Sequence, residues 1–119
     1  HMVFFVNYKD IKEQIKNTIE NSQEKNLWFY SSDYSDIQGM DMISGFNTEF
    51  IDFFEQFPGV NMEIRTKSGN IQSLLDLGFV PKNTEIAFSL NPQELIERYE
   101  TGTASLQKRC EAINILLTA

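Results

Sequence analysis

A parallel α/β domain is the fold this chain predicts, and three observations predict it. Strand-like runs alternate with helix-like runs along the whole length, and no hairpin signal joins any two of the strands. One stretch, Met62-Glu63-Ile64-Arg65-Thr66-Lys67-Ser68-Gly69-Asn70, shows the repeating step in full. Apolar Val60, Met62 and Ile64 alternate there with polar Asn61, Glu63 and Arg65, and Ser68-Gly69-Asn70 hands over to a helix-like run from Ile71 to Leu77. A strand feeding a helix through a short polar loop is half of a βαβ unit. Alternating strands and helices imply a parallel sheet with right-handed crossovers. The expected order is β-α-β-α-β-α-β-α-α, with a parallel four-stranded sheet. A barrel closes with about eight strands in the common case, so the fold is either a small open layered structure or an arc cut from a barrel.

Each element has its own reason. Val3-Phe4-Phe5-Val6, β-branched and aromatic, reads as the first strand. Asn7 is placed to cap the next helix, with Asp10 in its first turn, and Ile11, Ile15 and Ile19 form one apolar stripe. Leu27-Trp28-Phe29-Tyr30 is the second strand, apolar enough to be covered on both faces. After a polar segment Ser31 to Asp36 and a loop through Gly39 and Gly45, a Phe-rich helix starts at Asn47 or Thr48. Phe50, Ile51, Phe53, Phe54 and Phe57 are its buried side, and Pro58-Gly59 ends it. The third strand is the stretch described above; the fourth is Glu85 to Leu90. Asn91 then reads as an N-cap, with Pro92 at the first helical position and Glu94 in a box-like arrangement. Leu95, Ile96 and Tyr99 give that helix its apolar face, and Thr101-Gly102-Thr103 breaks it. Leu106, Cys110, Ile113 and Leu117 line one face of a last helix, which makes Cys110 a buried core thiol.

The bulk properties exclude several functions. With 119 residues and 41% hydrophobic content the chain holds one domain. Its formal charge of -7, from 17 acids against 10 bases, suits it poorly to neutralising nucleic-acid phosphates. A single cysteine excludes an internal disulfide and a multi-cysteine metal site within the chain. No run approaches the ~18 to 20 apolar residues of a membrane span, and no signal pattern opens the chain, so a cytoplasmic location is the expectation. His1-Met2 reads as a cloning remnant, and residues 3–119 as one partial domain of a longer protein, because the last helical run ends without a stop signal.

Strand parity sorts the side chains into two faces. Met62 and Ile64, with Ile86, Phe88 and Leu90, belong under helices; Glu63, Arg65 and Lys67, with Glu85, Ala87, Ser89 and Asn91, belong opposite. That second face is either solvent-exposed or lines a polar cavity. Glu63 and Arg65 read most simply as a solvated or mutually paired set, Asn91 as a helix cap, and Ser35 and Asp36 as turn caps. Lys67 is harder to assign to structure alone. It stands at a strand C-terminus before small residues, where parallel α/β folds bind ligands.

These residues also carry a resemblance. Glu63-Ile64-Arg65-Thr66-Lys67-Ser68, then Ala87-Phe88-Ser89-Leu90-Asn91-Pro92, then Arg98-Tyr99-Glu100-Thr101-Gly102-Thr103-Ala104-Ser105-Leu106 with Arg109 and Glu111, together resemble the spore photoproduct lyase family. Tyr30 to Asp36 is similar to the segment after that family's third strand. The likeness runs in order over residues 3–119. It implies a radical S-adenosylmethionine enzyme on a partial (β/α)6 TIM-like barrel. In that family a CxxxCxxC motif holds a [4Fe-4S] cluster that cleaves S-adenosylmethionine to a radical, which reverses a thymine lesion in DNA. The chain lacks the motif, which the resemblance places upstream of Val3. It would then be an inner fragment, roughly strands two to five, with DNA a partner of the longer protein only. The resemblance gives cofactor contacts to Lys67, for the methionyl carboxylate, and to Ser35, Asp36 and Ser89, near the ammonium and ribose; Asn91 would assist.

One departure from the family concerns the cysteine that returns hydrogen to the product. Asp33 stands at the corresponding place, or Ser32 if the alignment slips by one, and neither has a weak enough X–H bond for that role. Cys110 falls on another element. The alternative reading is a non-catalytic α/β binding or interaction module. As an excised arc, the chain is expected to self-associate through its exposed sheet edges.

Overall fold

The computed structural model describes residues 6–31 and 35–119. Its elements are helix α1 (Tyr8–Asn21), strand β1 (Leu27–Tyr30), a 3-10 turn (Gln38–Met40), helices α2 (Asp41–Ser44) and α3 (Phe46–Glu55), and strand β2 (Val60–Thr66). Helix α4 (Gln72–Leu75), strand β3 (Thr84–Phe88) and helices α5 (Gln93–Tyr99) and α6 (Leu106–Thr118) complete it. The strands form one sheet in the order β1-β2-β3, every pair parallel. Leu27 pairs with Val60 and Tyr30 with Glu63, while Met62 pairs with Thr84 and Thr66 with Phe88. The parallel α/β expectation holds. The strand count is corrected to three among the described residues. Val3, Phe4 and Phe5 of the expected first strand lie outside them, and Val6 is an exposed non-strand residue.

The core lies on one face of the sheet. Val60, Met62 and Ile64 alternate inward along β2 and meet Phe50, Ile51 and Phe54 of α3, with Ile71, Leu74 and Ala112 closing the cluster. The aromatic side chains of α3 recur at helical spacing, so they stack on one side. Phe46 and Phe50 lie parallel at 4.3 Å between ring centroids, and Phe53 meets Phe54 and Phe57 edge-on. The α1 stripe of Ile11, Ile15 and Ile19 packs against this cluster as its spacing requires.

Several local expectations are corrected. β1 is not covered on both faces: Trp28 is 46% and Tyr30 61% exposed, on the face opposite the helices. Asn7 occupies the N-cap position of α1 without a side-chain capping bond. α3 begins one residue early, at Phe46, after Gly45 in the left-handed conformation; Asn47 is fully buried in its first turn. α4 is a single turn, and β3 stops at Phe88, leaving Leu90 half exposed. Of the α5 face only Ile96 is buried, with Leu95 and Tyr99 exposed. Cys110 is exposed, because α6 turns Arg109 and Ala112 inward instead.

Gly59 links α3 to β2 at φ +81°, and a Cβ there would stand 3.0 Å from the Lys25 carbonyl oxygen. A side chain fits neither the backbone conformation nor the space. The tight turn starts β2 beside β1, where the Leu27 amide donates to the Gly59 carbonyl.

Candidate cofactor site

The carboxyl ends of the three strands converge, and a hydrogen-bonded lattice ties them together. Past β1, the Asp36 carboxylate accepts from the Thr66 hydroxyl at 2.8 Å and from the Lys67 amide at 2.7 Å. It also accepts from the Gly39 amide at 2.9 Å. Past β3, the Ser89 amide donates to the Thr66 carbonyl at 2.9 Å. The Lys67 carbonyl accepts from the Ala104 amide at 3.3 Å, which brings the α5–α6 connection onto the same corner. Thr66 is buried at the end of β2, and its hydroxyl accepts from the Ser68 amide while donating to Asp36. Short polar side chains thereby satisfy backbone groups that a strand end leaves open.

Above this lattice stands a charged triad. The Lys67 ammonium lies 2.9 Å from Glu100 Oε1, and the Arg109 guanidinium 2.6 Å from Glu100 Oε2. The Asn91 side-chain amide donates to Glu100 Oε1 at 2.6 Å. The Lys67 ammonium, then the Arg109 guanidinium, hold the Glu100 carboxyl at about 2, well below its ordinary 4.5; partial desolvation opposes them and Asn91 adds to them. Arg109 is completely buried, yet its donors reach the Ala104 carbonyl, the Ser89 carbonyl, Glu100 and the Thr103 hydroxyl. A buried guanidinium is tolerable when its fork is filled in this way.

The residues singled out in the sequence fall here as follows. Lys67, Asp36, Ser89 and Asn91 share one corner. Asp36 straps the β1 and β2 ends, the Ser89 backbone joins β2 to Arg109, and the Lys67 side chain is 41% exposed. Ser35 is exposed beside Asp36. Asp33 and Ser32, which the resemblance sets against the family's hydrogen-donating cysteine, lie outside the described residues. Asn91 does not cap α5: Pro92 occupies the N-cap position, and the Asn91 amide turns to Glu100. Glu63 and Arg65 pair with each other at 2.8 Å on the open sheet face. Glu100 pairs with Lys67 through one oxygen and with Arg109 through the other, a network outside the sequence expectations. Their identities were in view, but the spacing between them does not reveal that a helix start and a helix break fold back onto β2.

The donor set bears on the two groups the resemblance implies. A half-exposed ammonium with a single side-chain partner among the described residues suits a ligand carboxylate. An iron–sulfur cluster does not fit this chain. Clusters are held by several thiolates, and the chain's one cysteine sits exposed on α6. No group of three His, Cys, Asp or Glu side chains able to hold a metal occurs among the described residues. A groove of about 260 Å³ between α3 and α4, lined by Thr48, Asp52, Ser73, Asp76, Leu77 and Phe79, includes none of the triad residues. No described helix is long and apolar enough to cross a membrane.

Comparison with known proteins identifies relatives of the chain. The family description "Spore photoproduct lyase" matches residues 1–119. A spore photoproduct lyase of Bacillus subtilis (strain 168) is 31% identical over 108 residues, covering 91% of this chain and 31% of the relative. A solved spore photoproduct lyase variant with bound AdoMet and dinucleoside spore photoproduct superposes with a TM-score of 0.80 at 28% identity. Another, complexed with dinucleoside spore photoproduct, gives the same score and identity. Both cover 91% of this chain, which spans 32% of theirs. With the sequence matched from end to end and the same fold in the solved relatives, the chain belongs to the spore photoproduct lyase family.

Proposed function

We propose that this chain forms part of the S-adenosylmethionine pocket of a radical S-adenosylmethionine lyase, one that repairs a DNA photoproduct or performs related radical chemistry. The carrying observation is the Lys67 ammonium, held half exposed where three parallel strand ends converge. A methionyl carboxylate calls for such a cation. Ser35, Asp36 and Ser89 lie on segments that would face the ligand's ammonium and ribose, with Asn91 assisting. Asp36 already accepts three donors, so its contribution is to fix the Lys67 backbone while leaving limited capacity for a ligand. When bound, the cofactor supplies the radical chemistry; these residues bind and orient it.

In this reading the chain is one arc of a partial (β/α)6 barrel within a longer, cytoplasmic enzyme. The span of about a third of the relatives supports it. The cysteines for a [4Fe-4S] cluster would belong to the remainder, and so would the basic surface that meets DNA, since this chain carries a charge of -7. Alone, the chain is expected to be catalytically inactive.

Calorimetric titration with S-adenosylmethionine tests the pocket. Weak binding by the chain, abolished in Lys67→Ala, is the expected result. Equal binding by the variant would remove Lys67 from the site. For the longer protein, iron analysis of a chain extended upstream tests the cluster, and absence of both iron and CxxxCxxC would sink the radical reading.

A further inference from the structure

We propose that Glu100 is a positioning residue for Lys67, fixing its ammonium where the ligand carboxylate is received. The inference rests on the reading of Lys67 given above and adds a residue on a different element. A lysine has four rotatable side-chain bonds, and a half-exposed one would ordinarily sample many rotamers. Here the Lys67 ammonium is caught 2.9 Å from Glu100 Oε1. Its backbone is held separately, with the amide donating to Asp36 and the carbonyl accepting from Ala104. The lysine is therefore restrained at both ends.

Glu100 is itself immobilised, which separates an anchor from a mere surface ion pair. Arg109 holds Oε2 at 2.6 Å and Asn91 holds Oε1 at 2.6 Å. Arg109 in turn is fully buried and bonded to the Ser89 carbonyl at 2.7 Å and the Ala104 carbonyl at 2.9 Å. A carboxylate locked in this manner does not swing aside when a ligand arrives, so it acts as a post and not as a displaceable stand-in. An ammonium has three donors, and one on Glu100 leaves two for an incoming carboxylate. Arg109 balances the charge of Glu100, so the Lys67–Glu100–Arg109 triad presents a net positive charge to the ligand.

Glu100→Asp tests this, because it keeps the negative charge for Arg109 and shortens only the reach. The shorter arm stays with Arg109, whose buried charge cannot go unpaired, and so falls short of the half-exposed Lys67. The first readout is the NMR signal and order parameter of the Lys67 ammonium. In the wild-type chain it is expected to be ordered and slow to exchange; in Glu100→Asp it becomes mobile. The second is S-adenosylmethionine affinity, expected to fall roughly three- to tenfold, the scale of one freed long side chain, with Lys67→Ala abolishing binding. An ammonium equally ordered in both proteins, or an unchanged affinity, overturns the positioning role. If Lys67→Ala binds as well as wild type, the cofactor reading of Lys67 fails instead, and the ammonium signal alone decides whether Glu100 positions it. Should Glu100→Asp fail to fold, the wild-type ammonium signal decides alone: a mobile, fast-exchanging Lys67 overturns the positioning role.

Discussion

Arg109 shows at the scale of one residue how a charge can be placed in a core. It is the largest fully buried side chain described, and four acceptors fill its fork. Removing Arg109 strips Glu100 of one of its two cations and leaves the half-buried Ala104 and Ser89 carbonyls without their donor. Arg109→Met is expected to cost about 3 kcal/mol of stability, read by urea denaturation; a loss under about 1 kcal/mol would show that the pair behaves as an exposed one. Glu100 makes the pH prediction. Its carboxyl is held at about 2, below the ordinary 4.5, mainly by Lys67 and Arg109. A depressed acid stabilises the fold fully above its unfolded value and loses that contribution as pH falls through the folded one. Thermal midpoints should therefore drop between pH 4.5 and about 2 more steeply in wild type than in Glu100→Gln. Parallel pH profiles would detach the triad from acid stability. None of this was legible in the sequence, where Glu100 stood at a helix end and Arg109 among solvent-type residues. A buried cation violates the ordinary pattern, and only its partners explain it.

At the scale of the element, α3 is the most legible part of the chain. Its Phe and Ile residues recur at helical spacing, and the burial follows: Phe50, Ile51 and Phe54 are at most 1% exposed. Phe54→Ala should cost about 3 to 5 kcal/mol, measured by chemical denaturation. The start of α3 was less legible. Asn47 has the chemistry of a cap but lies inside the first turn, where its backbone N–H donates to Asp41 Oδ1 at 2.7 Å and its side-chain amide donates to Gln38 Oε1. Gln38 then reaches the Asn70 carbonyl, linking α3 to the loop after β2. Asn47→Ala is expected to cost about 1 to 3 kcal/mol through the partner left unsatisfied; a neutral result would show water replacing it. α6 carries the clearest misreading. A stripe through Leu106, Cys110, Ile113 and Leu117 is a legitimate helical face, yet the helix is rotated to turn Arg109 and Ala112 inward. Polar bonding to Glu100 and the strand ends overrides the apolar pattern there.

At the scale of the whole molecule, the described residues cover one sheet face and leave the other exposed. Among the described residues β1 and β3 are edge strands, and Trp28, Tyr30, Glu63 and Arg65 lie on the open face. Unpaired strand edges beside exposed aromatics favour pairing with another chain. Self-association by edge pairing or swapping is the expected behaviour, and a clean monomer by light scattering at high concentration would contradict it.

The sequence by itself determined the parallel α/β class, the three described strands, the aromatic side of α3 and the family. Each is written in local periodicity or in collinear residue identity, which survive without knowledge of distant contacts. The resemblance set Asp36, Lys67 and Ser89 around one ligand, but tertiary structure alone decided the bonds that join them, and it recruited Glu100 and Arg109. Those residues are brought together by crossover connections and helix rotation, and a charge is stabilised by whichever groups the folded chain places within hydrogen-bond reach.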